Sequence, residues 1–164
     1  LYISWTVAEI PFYADLGIFI LGIFLWSFFE YVAHRFVFHY HPTSAWGKRL
    51  HFMMHGVHHD YPNDSMRLVM PVGFSLPLAV LFYWLMIILP GHAAGVPFFA
   101  GFVCRFLCYD MLHYATHHAK FIRAKWFVKL RKHHMDHHFK APEEGFGVSS
   151  PIWDYVFGTN FKKK

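Results

Sequence analysis

The chain has 164 residues, 55% of them hydrophobic, 21% aromatic and only 15% charged, with a formal net charge of +5. So little polar surface argues against an ordinary water-soluble domain and points to lipid as the solvent. Histidine numbers 15, as many as lysine and arginine together, and the basic excess is assigned to membrane topology rather than to nucleic acid.

In chain order, "LYISWTVAEIPF" reads as the tail of an earlier, truncated helix over 1–11, closed by Pro11. The start on Leu1 rather than Met leads us to expect lost upstream residues, and no signal peptide is recognisable. "LGIFILGIFLWSFF" (16–29) carries no charge, and its apolar character continues past Glu30 to Phe38, predicting a span near 16–38. "LVMPVGFSLPLAVLFYWLMIILP" predicts a second span near 72–89, with Pro71 and Pro77 delaying or kinking it. "PGHAAGVP" (90–97) reads as a tight turn, followed by a third span near 96–116 interrupted by Arg105. Cys104 and Cys108 lie inside that span as small apolar side chains, with neither a disulfide nor a cysteine zinc site indicated.

The last two spans make a helical hairpin, which returns the chain to the side it left. Every lysine and arginine except Arg105 then falls on one face, which the positive-inside tendency makes cytoplasmic. The expected fold is therefore all-α: integral membrane helices with a cytosolic helical cap, in a single domain over 1–164.

The histidine clusters fall on that same face. "HRFVFH" places His34 and His39 at the end of a span, and "HGVHH" holds His55, His58 and His59. "HYATHH" holds His113 and His117, and "HMDHH" holds His134, His137 and His138. Positions i, i+3 and i+4 share one helix face, so each triplet can point at one centre, and His113 with His117 forms an i, i+4 ligand pair. Ten imidazoles exceed what one ion can use; two metals with four or five nitrogens each fit. Imidazole suits zinc, copper, iron and nickel alike, so a structural metal site stays open at this point. His41, His92 and His133 are expected as polar tips at headgroup level.

The stretches "LWSFFEYVAHRFVFH", "HFMMHGVHHDYPNDSMRLVMP", "CYDMLHYATHH", "HHMDHHF" and "GFGVSSPIWDYVFGT" resemble, in order and spacing, the fatty acid 2-hydroxylases of the membrane fatty acid hydroxylase and desaturase superfamily. The resemblance implies a dinuclear, all-histidine centre: two metal ions, iron when active, with zinc possible in purified protein. It assigns the ligands as His34, His39, His55, His58, His59, His113, His117, His134, His137 and His138. It implies insertion of one oxygen from O2 at carbon 2 of a long-chain fatty acid or sphingolipid acyl chain. Many relatives carry a cytochrome b5 domain; none is recognisable here, nor is a flavin or nicotinamide fingerprint. An external electron donor, cytochrome b5-like or ferredoxin-like, is therefore expected.

No catalytic side chain is assigned beyond the ligands. Glu30, one helical turn before His34, is expected to accept a hydrogen bond from its ring. Asp110, His51 and His118 are further candidates to brace the ligands from behind. Phe36, Phe38, Phe52, Tyr109, Phe139, Phe146, Trp153 and Tyr155 can line an acyl tunnel or simply pack. The localisation expected is multi-pass in a membrane, endoplasmic reticulum if eukaryotic or inner membrane if bacterial. Two rival readings are another oxidase of the superfamily (acyl desaturase or sterol-type hydroxylase) and a non-catalytic membrane metal-binding or transport protein. Transporters hold ligands near the bilayer midplane in repeated halves, whereas these ligands crowd one face and no repeat is visible.

Overall fold

The computed structural model describes residues 10–68 and 70–162, and among these there are helices, turns and loops but no strand. Helix α1 spans Phe12–Ala33 and runs directly into a π-helical turn at His34–Phe38. Helix α2 (Ala45–His51) starts at Ser44, whose side chain accepts from the Gly47 amide at 3.1 Å. It passes into a second π-helical turn, Phe52–Gly56, and then into the short α3, Val57–Asp60. Four more helices follow: α4 (Val72–Ile88), α5 (His92–His118), α6 (Lys125–Phe139) and α7 (Ile152–Phe157). The helix expected over 1–11 lies, but for Ile10 and Pro11, outside the described residues.

The turn expected over 90–97 is shorter than that. It occupies 89–91, where Gly91 takes φ 81°, and α5 begins at His92 with Pro97 inside it. Proline early in a helix forfeits few backbone hydrogen bonds, and apolar helices tolerate it.

Two stretches of 27 residues, Phe12–Phe38 and His92–His118, have mean hydropathy 1.9 and 1.3 over their best windows. At 1.5 Å per residue each is about 40 Å long, enough to cross a bilayer. Only 22% of each window is buried, so their apolar side chains face outward, which the core helix of a soluble protein does not do. Helix α4 is shorter at 17 residues and exposes Leu76, Leu81, Trp84 and Ile88 in the same way. Lipid is the solvent these faces fit, and the chain is a membrane protein.

Contacts divide the chain into two compact units. The first takes the chain up to Ser27 together with Pro71–Cys108. Here glycines let helix backbones touch. A Cβ on Gly22 would sit 2.1 Å from the Phe98 carbonyl oxygen, and one on Gly101 would sit 2.0 Å from that of Phe19. Between α4 and α5, a Cβ on Gly95 would meet the Met86 carbonyl oxygen at 2.2 Å. In lipid, where apolar burial gives helices no reason to associate, such close approach supplies the dispersion contacts that hold them. Trp26 fills the remaining space, edge-on to Phe102 at 4.8 Å and Phe106 at 5.1 Å.

The second unit comprises Phe28–Met70 and Tyr109–Lys164, and all ten clustered histidines belong to it. Its apolar core is small: Tyr31, Phe127, Leu130, Phe146 and Val148 are buried. Tyr31 stacks on Phe157 at 5.3 Å, and its hydroxyl lies 3.0 Å from the Thr159 hydroxyl. Phe28 packs edge-on against Trp153 at 5.0 Å. Around this core most of the buried side chains are imidazoles.

Candidate metal centre

The first two histidines pose a geometric problem. Five residues of α-helix would set His34 and His39 about 140° apart around the axis. The π-helical turn removes that separation. The His39 amide donates to the His34 carbonyl at 3.1 Å, five residues back, and the wider turn brings the two rings to 4.9 Å. A second π-helical turn carries His55 just ahead of His58 and His59. Such turns recur at functional sites.

The ten histidines gather into two groups of five. His34, His39, His55, His59 and His137 form one, and His58, His113, His117, His134 and His138 the other. Within each group one ligand atom per residue lies within 4.8 Å of all the others. The triplets do not stay together. His58 joins the second group while His55 and His59 join the first, and His137 parts from His134 and His138 in the same way.

Every close contact inside the groups is between Nε2 atoms. In the first, His34 lies 3.2 Å from His55, His59 3.0 Å from His55, and His137 3.1 Å from His39. In the second, His113 lies 2.9 Å from His58, and His134 lies 2.8 Å from His117 and 3.1 Å from His138.

The other ring nitrogens tell which proton is where. His34 donates from Nδ1 to the Phe146 carbonyl at 2.5 Å, and His137 from Nδ1 to the Glu144 carbonyl at 2.8 Å. A carbonyl can only accept, so both Nε2 atoms present lone pairs to the centre. In the second group Nδ1 of His58, His134 and His138 is buried with no hydrogen-bond partner among the described residues.

The imidazoles outside the apolar spans are held neutral. Burial, then the nearby His137 ring, pushes His39 down to about 2 and His59 down to about 3. Burial is also the main cause holding His55, His58, His134, His137 and His138 below the ordinary histidine range. Five neutral rings whose nitrogens converge this closely crowd lone pairs together, those of His34 and His137 among them. A cation in each group resolves this, and an all-imidazole donor set suits zinc, copper, iron or nickel.

The proposed bracing residues behave differently from one another. Glu30 does not reach the His34 ring, whose nitrogens face Phe146 and His55. Its carboxylate instead accepts from the Ser149 amide at 2.7 Å and from the Ser149 hydroxyl. Helical side chains lean toward the N-terminus, so Glu30 leans away from His34, and the 144–149 loop bonds to each of them separately. Asp110 belongs to neither group. His51 lies 2.6 Å from the Phe38 carbonyl through Nε2, and His118 sits against Tyr114 at 4.7 Å with Nε2 buried. Of the aromatics, Phe38 and Phe52 line a cavity of about 340 Å³ beside His39, His55 and His59. Phe146 is buried against His34, His39 and His137, while Phe36, Phe139 and Tyr155 are exposed.

Sequence reasoning overlooked Asp154. It is fully buried (0% exposed) and accepts from the amides of Phe146 and Gly147, both at 2.8 Å, and from the Thr159 hydroxyl at 2.7 Å. His133, expected at headgroup level, instead reaches Asp154 at 3.2 Å. The signal available was an aspartate seven residues after Gly147 inside the aromatic stretch "PIWDYVF".

A helical membrane protein with two adjoining, all-imidazole metal-binding groups is the class that fold and site define. Residues 19–159 match the family model described as fatty acid hydroxylase, and the chain belongs to that family. It is 41% identical over 140 residues to a dihydroceramide fatty acyl 2-hydroxylase of Arabidopsis thaliana, covering 85% of this chain and 59% of that protein. It is 43% identical over 159 residues to the fatty acid 2-hydroxylase of Homo sapiens, covering 95% of this chain and 42% of the relative. A solved structure described as full-length scs7p, with only the hydroxylase domain visible, superposes with a TM-score of 0.91 at 36% identity. That match covers 98% of this chain and 60% of the other. The chain thus spans less than two thirds of the length of these relatives.

Proposed function

We propose that this chain is the hydroxylase domain of a membrane fatty acid 2-hydroxylase, inserting one oxygen atom at carbon 2 of a long acyl chain. The acyl chain is a free fatty acid or the acyl group of a sphingolipid, the chemistry its relatives are named for. The observation that carries the reading is the pairing of two five-imidazole groups, one of them beside a cavity that Phe38 and Phe52 help to line. When bound, a pair of redox metal ions, iron in the active enzyme, supplies the oxidising power toward an unactivated C–H bond that no side chain possesses.

The ten histidines would hold those ions, five to each. The protein's own part is to bind, orient and exclude water. Phe38 and Phe52 offer an apolar wall to the acyl chain, and the His51 contact to the Phe38 carbonyl steadies that wall. His41, Asp60 and Glu143 line the same cavity and give a polar headgroup something to bind. Of the ten clustered imidazoles, His39, His55 and His59 line it, so carbon 2 would come closest to the group they belong to. No side chain here moves a proton to or from the substrate carbon; the imidazoles serve as neutral ligands.

Dioxygen, two electrons and two protons complete the reaction, one oxygen atom entering the C–H bond and the other leaving as water, with the electrons arriving from a cytochrome b5-like or ferredoxin-like donor. The one-sided distribution of lysine and arginine supports a multi-pass protein with its histidine-bearing segments on the cytoplasmic face. That membrane is the endoplasmic reticulum in a eukaryote and the inner membrane in a bacterium. The test is expression in cells that lack 2-hydroxylated acyl chains, followed by lipid analysis. New 2-hydroxy acyl products are expected; a double bond, or hydroxylation at another carbon only, would overturn the assignment in favour of another superfamily oxidase.

A further inference from the structure

The two imidazole groups are braced differently. Residues 144–149 form a loop, "EGFGVS", that offers two carbonyls to the first group and none that reaches the second: Glu144 to His137 and Phe146 to His34. The loop is held through its own donors. The Gly145 amide donates to the Thr159 carbonyl at 2.8 Å, those of Phe146 and Gly147 to Asp154, and the amide and hydroxyl of Ser149 to Glu30. Gly145 takes φ 72°, and a Cβ on Gly147 would meet the Ser150 carbonyl oxygen at 2.1 Å and Asp154 Oδ2 at 2.8 Å. Glycine is therefore required at both positions, and two buried carboxylates accept the loop's amides.

In the second group His117 has a backbone hydrogen bond, to Pro62 outside this loop, and the outer nitrogens of His58, His134 and His138 have no hydrogen-bond partner among the described residues. A hydrogen bond from the outer ring nitrogen fixes an imidazole's tautomer and direction and strengthens it as a ligand; losing such a partner typically costs 10- to 100-fold in metal affinity.

We infer that Asp154 and Glu30 are positioning residues for one metal position only, that of His34, His39, His55, His59 and His137, and that the two positions can be emptied separately. This rests on the proposed metal-binding function of the histidines. The carboxylates act at a distance: they hold amides, the amides hold two carbonyls, and the carbonyls aim two rings. Of the two groups, the one so aimed faces the cavity.

The experiment loads the detergent-solubilised full chain with zinc and, in parallel, with cobalt(II), and measures metal per chain after dialysis. Wild type should retain two ions. Asp154→Asn, which replaces one accepting oxygen by a donor, should retain one. Its residual cobalt absorption spectrum should match that of His137→Ala, a lesion in the same group, and differ from that of His138→Ala. Glu30→Gln perturbs the other end of the loop and should weaken one site roughly 10- to 100-fold while leaving the second unchanged. It decides the matter alone if Asp154→Asn does not fold. Retention of both ions at wild-type affinity, or loss of both in parallel, would overturn the inference while leaving the metal centre standing. A wild-type chain that binds neither metal would overturn both.

Discussion

Nε2 of His58 and Nε2 of His113 lie 2.9 Å apart, joining α3 to α5 through nitrogens that belong to one five-member group. His58 also meets His117 of α5, with ring centroids 4.8 Å apart, so the two helices converge on the centre of that group. Replacing His113 or His138 by alanine removes a ligand outright. Each variant should lose the ion of its group, and with it turnover, by more than the 10- to 100-fold that follows loss of an outer partner. Elemental analysis beside lipid-product assays checks this, and full metal content in both variants would refute it.

Acid should destabilise the metal-free fold. His39 and His59 titrate near 2 and 3 in the folded chain but near 6.5 when unfolded. The unfolded state therefore binds more protons across that interval. The contribution is complete above about pH 6.5 and is lost progressively as pH falls toward 3. The thermal midpoint of apo protein should drop steeply between pH 6.5 and 5, and metal-loaded protein should resist until protons displace the ions. A flat profile across that range would contradict neutral, buried imidazoles.

Close helix approach makes a second region sensitive. A side chain at Gly101 or Gly22 must displace backbone, because the nearest atoms are carbonyl oxygens at 2.0 and 2.1 Å. Gly101→Val or Gly22→Val should cost about 1–3 kcal/mol, the usual range for overpacking, and lower the unfolding midpoint in detergent. Gly17→Ala is the control, since nothing lies within 4 Å of its Cβ position, and should hold or raise the midpoint, as replacing a helical glycine by alanine does.

Membrane orientation is testable by labelling. With the exposed Cys104 and Cys108 replaced by serine, single cysteines at the exposed positions His92 and Lys140 should react with an impermeant maleimide from opposite sides of the membrane. Lys140 should be the cytoplasmic one. Reaction of both from the same side would defeat the positive-inside assignment.

The helical class, the lipid solvent and the histidine segments were legible in the sequence because each depends on local chemistry. A run of apolar residues declares its solvent wherever it sits, and i, i+3, i+4 spacing declares a shared face. Spacing also carried a clue that went unused: His34 and His39, five apart, cannot share an α-helical face, and the π-helical turn is the backbone's answer. The turn at 89–91 was misjudged for the opposite reason, since Pro97 reads as a stop although one missing amide early in an apolar helix is easily tolerated.

What tertiary structure decided is which histidine joins which group and what stands behind each ring. Helical periodicity put His55, His58 and His59 on one side, yet the boundary between the two groups runs through that triplet, because neighbouring side chains on one face can lean toward different centres. Glu30 looked bound to His34 because the two are a turn apart; its partner is Ser149, distant in sequence. Asp154 showed only as an aspartate inside an aromatic stretch, because its work is to accept amides of a loop, and which backbone donors it meets is set by the fold. Local composition determined that this chain gathers imidazoles at the ends of membrane helices; only long-range hydrogen bonding, which sequence distance hides, decided how they are aimed.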